Sequence, residues 1–257
     1  MLKNIKKILL KKNKSKIVCL TAYSKNIAKL LDKYCDIILV GDSMANVLYG
    51  MKNTHNVSLD NIIQHSISVR KGTKNSLLVV DMPKGSYNQP IQAKNNAKLI
   101  VKKTNCDAVK IESNNKNFKI IKEIVKAKIP VMGHIGFTPQ FYKKFRVHGL
   151  LKKDHSRLVN EAKRNEKAGV FSVVVECVTD MVAKEITQSL KIPTIGIGAS
   201  IHCDGQILVT DDMLGLSGFY PRFVKKFARL NNIIEKGVQK YNKAVLTKKF
   251  PSQKNKF

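Results

Sequence analysis

Eight short, apolar, β-branched runs alternate with amphipathic stretches of helical length across 257 residues, which predicts an α/β fold: a (β/α)8 TIM barrel with an extra N-terminal helix. The runs are apolar at nearly every position, which suits strands covered on both faces, as in a parallel sheet. The loop after the first run, Thr21-Ala22-Tyr23-Ser24, holds no glycine. The alternative, an open doubly wound sheet, usually places a glycine-rich phosphate loop there. With no internal linker and no repeat beyond the β/α alternation, residues 1–257 read as a single barrel domain with its core over about 17–230.

The elements follow in order. The opening MLKNIKKILLKKNKSK is basic, with no acidic residue before Asp32. It predicts a short amphipathic helix with Ile5, Ile8 and Leu9 on one face, and the fold proper begins at Ile17. A transit peptide would carry Arg and Ser, and a secretory signal would need a longer apolar stretch than Ile8-Leu9-Leu10. The predicted strands are IVCLTAY (17–23), IILVG (37–41), LLVVD (77–81), AVKIE (108–112), PVMGHIG (130–136), FSVVVEC (171–177), PTIGIGA (193–199) and QILVT (206–210). Between them, Leu59, Ile62, Ile63, Ser66, Ile67 and Arg70 fall at helical spacing, as do Val182, Ile186 and Leu190. Thr138-Pro139 and Ile192-Pro193 mark places where a helix should not continue. The segment after Phe219 reads as helix to about Leu246, and the polar, basic tail over 247–257 is expected to be frayed and disordered.

Composition narrows the function classes. The chain is 43% hydrophobic and 25% charged, which excludes global disorder. No apolar run approaches the roughly 18–20 residues of a membrane span. Forty-seven Lys and Arg against eighteen Asp and Glu give a net charge of +29. A polyanion partner would explain that charge. Only six of those residues are Arg, however (Arg70, Arg146, Arg157, Arg164, Arg222 and Arg229), and phosphate and base recognition leans on the guanidinium fork. The lysines are spread over the whole length beside abundant Asn. Compositional drift is the better reading, with neither nucleic acid nor membrane as a partner. Cys19, Cys35, Cys106, Cys177 and Cys203 form no C-x-x-C pair and no zinc spacing. They suggest free thiols in a reducing compartment, the cytoplasm.

The ends of the runs carry the chemistry. IILVG leads into Asp42-Ser43, LLVV into Asp81, PVMG into His134, VVV into Glu176 and IGIGA into Ser200, while AVKIE carries Lys110 and Glu112. Asp and Ser are common turn residues. Six polar strand ends, with Lys, His and two Glu among them, exceed what turns require. In a barrel these ends converge on one mouth, where active sites lie. Asp42, Asp81, Glu112 and Glu176 would bring four negatives against Lys110, and a hard divalent cation would relieve their repulsion. Mg²⁺ suits oxygen ligands and needs only one or two carboxylates, so one carboxylate is left as a base. His55, His65, His148, His155 and His202 lack such placement and read as structural or exposed. Cys177 reads as packing.

Ten stretches, in order over roughly residues 17 to 230, also resemble the ketopantoate hydroxymethyltransferase family: TAYS (21–24), VGDS (40–43), SLDNIIQHSISVRKG (58–72), VVDMP (79–83), VKIE (109–112), GHIGFTPQ (133–140), ECV (176–178), IPTIGIGAS (192–200), CDGQILV (203–209) and PRFVKKF (221–227). The resemblance implies a (β/α)8 barrel in a higher homo-oligomer, a decamer. It implies transfer of a hydroxymethyl group from methylene-tetrahydrofolate to 3-methyl-2-oxobutanoate, through a Mg²⁺-stabilised enolate, in pantothenate biosynthesis. By matching motif, Asp42 and Asp81 would bind Mg²⁺ directly and Glu112 through water. Ser43, Lys110 and His134, beside the two aspartates, would hold the oxo-acid, and Glu176 would be the catalytic base.

The chain departs from the family pattern at Met44-Ala45, where Leu-Gly is usual, at Ser24 in place of Asp, at Ser200, and in the shorter loop over 141–149 with Lys144-Phe145-Arg146-Val147-His148-Gly149. Two other readings stand beside the resemblance. One is another Mg²⁺-dependent, enolate-forming barrel lyase acting on a small 2-oxo acid. The other is a basic polyanion-binding protein.

Overall fold

The computed structural model describes residues 2–114, 117–142, 145–218 and 220–257. Eight parallel strands close into a barrel in chain order: β1 Ile17–Thr21, β2 Ile37–Val40, β3 Leu77–Asp81, β4 Ala108–Glu112, β5 Val131–Gly136, β6 Ser172–Glu176, β7 Thr194–Ile197 and β8 Gly205–Leu208, which pairs back onto β1. The helices are α1 Leu2–Leu9, α2 Lys25–Leu31, α3 Met44–Val47, α4 Leu59–Arg70, α5 Pro90–Thr104, α6 Phe118–Lys126, α7 Lys152–Ala168, α8 Asp180–Ser189, α9 Thr210–Leu214 and α10 Leu230–Leu246. The predicted barrel and all eight strands are present. The last strand ends at Leu208, because Thr210 opens α9 with Asp211 and Asp212 in its first turn, where acidic side chains favour a helix start.

Local sequence explains the helices. Ser58 caps α4: its Oγ accepts from the Asn61 N–H at 3.1 Å, and Ile62, Ile63, Ser66 and Val69 form the buried face. α5 begins on Pro90, whose missing N–H costs nothing at a helix start, and ends on Asn105 in the left-handed region.

The N-terminal helix is present but does more than precede the fold. Ile5 and Ile8 are buried with Ile17, Ile37 and Leu77 in the cluster that fills the lower barrel. Leu9 is 37% exposed, contrary to the expected three-residue face. At about 100° per residue, Leu9 lies about 40° from Ile5 on the side away from Ile8, so it sits at the edge of their shared face and is only partly covered. Three aspartates tie this segment down. Asp36, Asp107 and Asp204 each follow a cysteine and precede an even-numbered strand. Each accepts a backbone N–H from the neighbouring odd-numbered strand: Val18 at 3.0 Å, Leu78 at 3.0 Å and Thr194 at 2.9 Å. They also bind Lys11 at 2.6 Å, Asn4 at 3.2 Å and Lys12 at 2.8 Å. Part of the basic N-terminus is therefore engaged inside the fold.

Asp32, just past α2, accepts from the Asn75 and Ser76 N–H groups at 2.9 and 2.8 Å and pins the turn before β3. Burial alone would raise its carboxyl, but the Ser76 and Asn75 donors hold it below the ordinary aspartate value. A depressed carboxyl contributes its stability above the unfolded value, about 3.9, and loses it as pH falls through the folded value. Asp32→Asn should cost about 1.5–3 kcal/mol near neutrality, the range for hydrogen bonds to a charged group. Urea denaturation should show that gap narrowing below about pH 4. A gap of constant size between pH 6 and pH 3 would contradict this account.

The chain divides into two compact units, Met1–Val209 with the whole barrel and Thr210–Phe257. In the second unit the predicted helix begins only at Leu230, and residues 220–229 are not helical. Pro221 lacks the N–H a helix interior needs. Phe219, after which the sequence predicts the helix, lies outside the described residues. α10 buries none of its residues, and a short 3-10 turn over Gln253–Asn255 follows it.

Candidate active site

Strand periodicity places the site. Side chains alternate across a strand, so residues two apart share a face. The inward rows begin apolar and end polar: Leu77 and Val79 lead to Asp81, Ala108 to Lys110 and Glu112, Met132 to His134, and Val174 to Glu176. Register then sets neighbours. Asp81 pairs with Lys110, Glu112 with His134, and Gly136 with Glu176. The apolar half is core and the polar half is the mouth.

The contacts join most of the predicted residues. Lys110 Nζ donates to Asp81 Oδ1 at 2.7 Å, and the Asp42 N–H donates to Asp81 Oδ2 at 3.0 Å. His134 Nε2 stands 3.1 Å from Glu176 Oε2, and His134 Nδ1 stands 4.0 Å from Glu112 Oε1. Neither is a hydrogen bond: both ring nitrogens are buried without a hydrogen-bond partner among the described residues. Ser43 sits at the N-cap of α3 but does not cap it. Its Oγ meets the Tyr23 hydroxyl at 2.8 Å instead. Glycine makes room at two points. A Cβ at Gly41 would lie 3.0 Å from Ser43 Oγ, and one at Gly136, where φ is +92°, would lie 2.2 Å from the Glu176 carbonyl oxygen.

Electrostatics mark the mouth as short of positive charge. Burial, then the Asp81 charge, pushes the Asp42 carboxyl up to about 7. Burial, then Asp42, raises Glu112 well above the carboxylate range. Burial raises Glu176 to about 8, against the pull of Lys110. Burial alone would lower the Lys110 ammonium, but Asp81, Asp42 and Glu112 raise it above its ordinary value. Burial and Lys110 hold His134 well below its usual value, so it is neutral.

Among the described residues, no three His, Cys, Asp or Glu side chains form a ready metal cage. Mg²⁺ does not require one, since it keeps waters or substrate oxygens beside one or two carboxylates. Asp42 and Asp81 are adjacent hard oxygen donors, and the raised carboxyls are what a divalent cation would relieve. The residues therefore fit Mg²⁺.

Ser200 is not among the joined residues. Its Oγ accepts from the His202 N–H at 3.1 Å and its carbonyl from Gln206 Nε2 at 2.7 Å, so it closes the turn after β7. Ala45 lies buried within α3 outside the positive-φ region, so its added methyl carries no backbone strain. Ser24 occupies the N-cap of α2. In the altered loop, Lys144 lies outside the described residues. Burial, then Glu176, raises the Cys177 thiol, which suits packing and not a nucleophile. His65 holds the Tyr23 carbonyl at 2.7 Å and the Tyr49 hydroxyl at 2.8 Å, a structural role.

The sequence profile of the ketopantoate hydroxymethyltransferase family matches residues 2–253. The chain belongs to that family. A Pelagibacter ubique (strain HTCC1062) protein named 3-methyl-2-oxobutanoate hydroxymethyltransferase is 49% identical over 255 residues, 99% of each chain. One of the same name from Anaplasma marginale (strain St. Maries) is 46% identical over 258 residues, 99% of this chain and 93% of its own. Among solved structures, 2,3-dimethylmalate lyase of the PEP mutase/isocitrate lyase superfamily superposes with a TM-score of 0.64 at 15% identity, covering 94% of this chain and 87% of its own. At that identity the likeness speaks for the barrel alone. Within the ketopantoate hydroxymethyltransferase reading, two residues at the mouth went unassigned by sequence. Gln140 Nε2 donates to Asp42 Oδ2 at 2.9 Å, and the buried Tyr87 hydroxyl donates to Gln140 Oε1. Gln140 stood in the GFTPQ stretch as part of a motif. Nothing in spacing connects it to a carboxylate 98 positions away.

Proposed function

We propose that this chain transfers a hydroxymethyl group from methylene-tetrahydrofolate to 3-methyl-2-oxobutanoate, giving ketopantoate for pantothenate biosynthesis. Family membership supports the reaction. The observation that carries the site is a buried, neutral His134, without a hydrogen-bond partner among the described residues, between two carboxylates, Glu112 and Glu176, beside the Asp42–Asp81–Lys110 group.

In this reading Asp42 and Asp81 hold Mg²⁺ directly and Glu112 does so through water. When bound, Mg²⁺ polarises the ketone of the oxo-acid and acidifies the neighbouring C–H. Lys110 balances the substrate carboxylate, and His134 and Ser43 donate to its oxygens. His134 can donate because one ring nitrogen of a neutral imidazole carries a proton. Glu176 takes the proton from the carbon beside the ketone. That carbon then bonds to the one-carbon unit of the folate; the two C–N bonds holding that unit break, and water supplies the hydroxyl oxygen. The proton taken by Glu176 and the one left from water end on the two folate nitrogens, releasing tetrahydrofolate. The low water access of the mouth strengthens each of these charge interactions. A cytoplasmic higher homo-oligomer, in the family's manner, belongs to the same proposal. No helix among the described residues is long and apolar enough to cross a membrane.

The test is proton exchange at the C–H next to the ketone of 3-methyl-2-oxobutanoate, followed by NMR in D₂O without folate. Exchange should appear with Mg²⁺ and vanish with chelator, and adding methylene-tetrahydrofolate should convert the oxo-acid to ketopantoate. Folded protein that exchanges no proton with Mg²⁺ present would refute the mechanism. Exchange without transfer would favour a lyase on a small 2-oxo acid.

A further inference from the structure

Gln140 lies just past β5, 1% exposed, and touches three parts of the mouth at once. Its Nε2 donates to Asp42 Oδ2 at 2.9 Å and to the Met82 carbonyl at 3.1 Å. Its Oε1 accepts from Tyr87, and its backbone N–H donates to Glu112 Oε2 at 2.9 Å. The amide can face only one way. The Met82 carbonyl accepts and never donates, so it must face Nε2. The second Nε2 hydrogen then serves Asp42, and Oε1 is left for the Tyr87 hydroxyl. The loop backbone is itself held, with the Pro139 carbonyl 3.0 Å from His55 Nε2. One uncharged residue thus fixes carboxylates from the ends of β2 and β4. A lysine or arginine here would neutralise the carboxylates it held and compete with a cation. An amide orients them and leaves their charge.

We infer that Gln140 is a positioning residue that sets Asp42 and Glu112 for a divalent cation, and that Tyr87 acts on the cation only through Gln140. The inference rests on the metal site proposed above. Outer partners of metal ligands typically change affinity by about 10–100-fold when removed.

The experiment titrates the chelator-stripped full chain with Mn²⁺ alone and reads free Mn²⁺ by its electron paramagnetic resonance signal, with circular dichroism reporting folding. Gln140→Met keeps the backbone donor to Glu112 and removes the amide. It should weaken Mn²⁺ binding by about 10–100-fold. Tyr87→Phe should weaken it less, and the double variant should lose no more than Gln140→Met, because residues acting through one path are not additive. A folded Gln140→Met that binds Mn²⁺ like wild type overturns the inference and leaves the proposed function standing. So does an additive double variant. Wild type that binds no Mn²⁺ overturns both. If Gln140→Met does not fold, Tyr87→Phe decides: weakened binding supports the inference and unchanged binding overturns it.

Discussion

Glu176→Gln is expected to lower turnover by about 10²–10⁴-fold, the usual worth of a general base, while leaving the KM for 3-methyl-2-oxobutanoate nearly unchanged. The side chain ends β6, where strand alternation aims it into the mouth, and the close approach of Gly136 fixes its backbone. It keeps 15% exposure while His134 beside it keeps 3%. A base needs access to a substrate proton, and that residual opening supplies it. Burial raises the carboxyl to about 8, so its ionised form is a stronger base than an ordinary glutamate and nearer the working range. Gln has the same shape and cannot accept the proton. Substrate binding is carried in this reading by Ser43, Lys110 and His134, which the change leaves in place. Steady-state kinetics and the D₂O exchange should therefore fall together. Near-normal turnover would remove Glu176 from the role. A raised KM with unchanged kcat would make it a binding residue.

The barrel and most of its mouth were legible because both rest on period-two alternation. Apolar rows that end in Asp81, Lys110, Glu112, His134 and Glu176 follow from spacing once the strands are known. Ser200 shows the limit of that rule, since a polar residue after a strand can simply close a turn. Gln140 and Tyr87 were illegible for a different reason. Their value lies in contacts across 98 and 53 residues, made by a loop whose path no local pattern encodes. The lower barrel carried a readable signal that spacing alone did not interpret: Cys-Asp before β2, β4 and β8. Its meaning depends on which strand supplies the N–H and on the N-terminal segment folding back to the same carboxylates.

Asp81→Ala should damage both the stability of the metal-free protein and its Mg²⁺ binding, and comparison with Asp81→Asn should separate the two. Asp81 and Lys110 are 3% and 6% exposed, and their 2.7 Å contact is a buried ion pair. Removing one partner of such a pair commonly costs about 3–5 kcal/mol, because the other is left buried without its hydrogen bond. That is a large share of a typical stability of about 5–15 kcal/mol. The loss should fall toward the lower end here, since Asp42 and Glu112 still surround the ammonium and sustain part of its charge. The same removal relieves Asp42, whose carboxyl is raised by burial and then by the Asp81 charge. Asp81→Asn keeps an acceptor for Lys110 and removes the negative charge. Urea denaturation should show it closer to wild type than Asp81→Ala, while calorimetric Mg²⁺ titration should show both variants weakened. Unchanged Mg²⁺ binding in Asp81→Ala would refute the metal assignment, and equal stability of the two variants would refute the ion-pair account. The outcome follows from four carboxylates at the mouth, three of them buried, sharing one lysine: the pair that stabilises the mouth also holds Asp81 in place as an oxygen donor for the proposed cation.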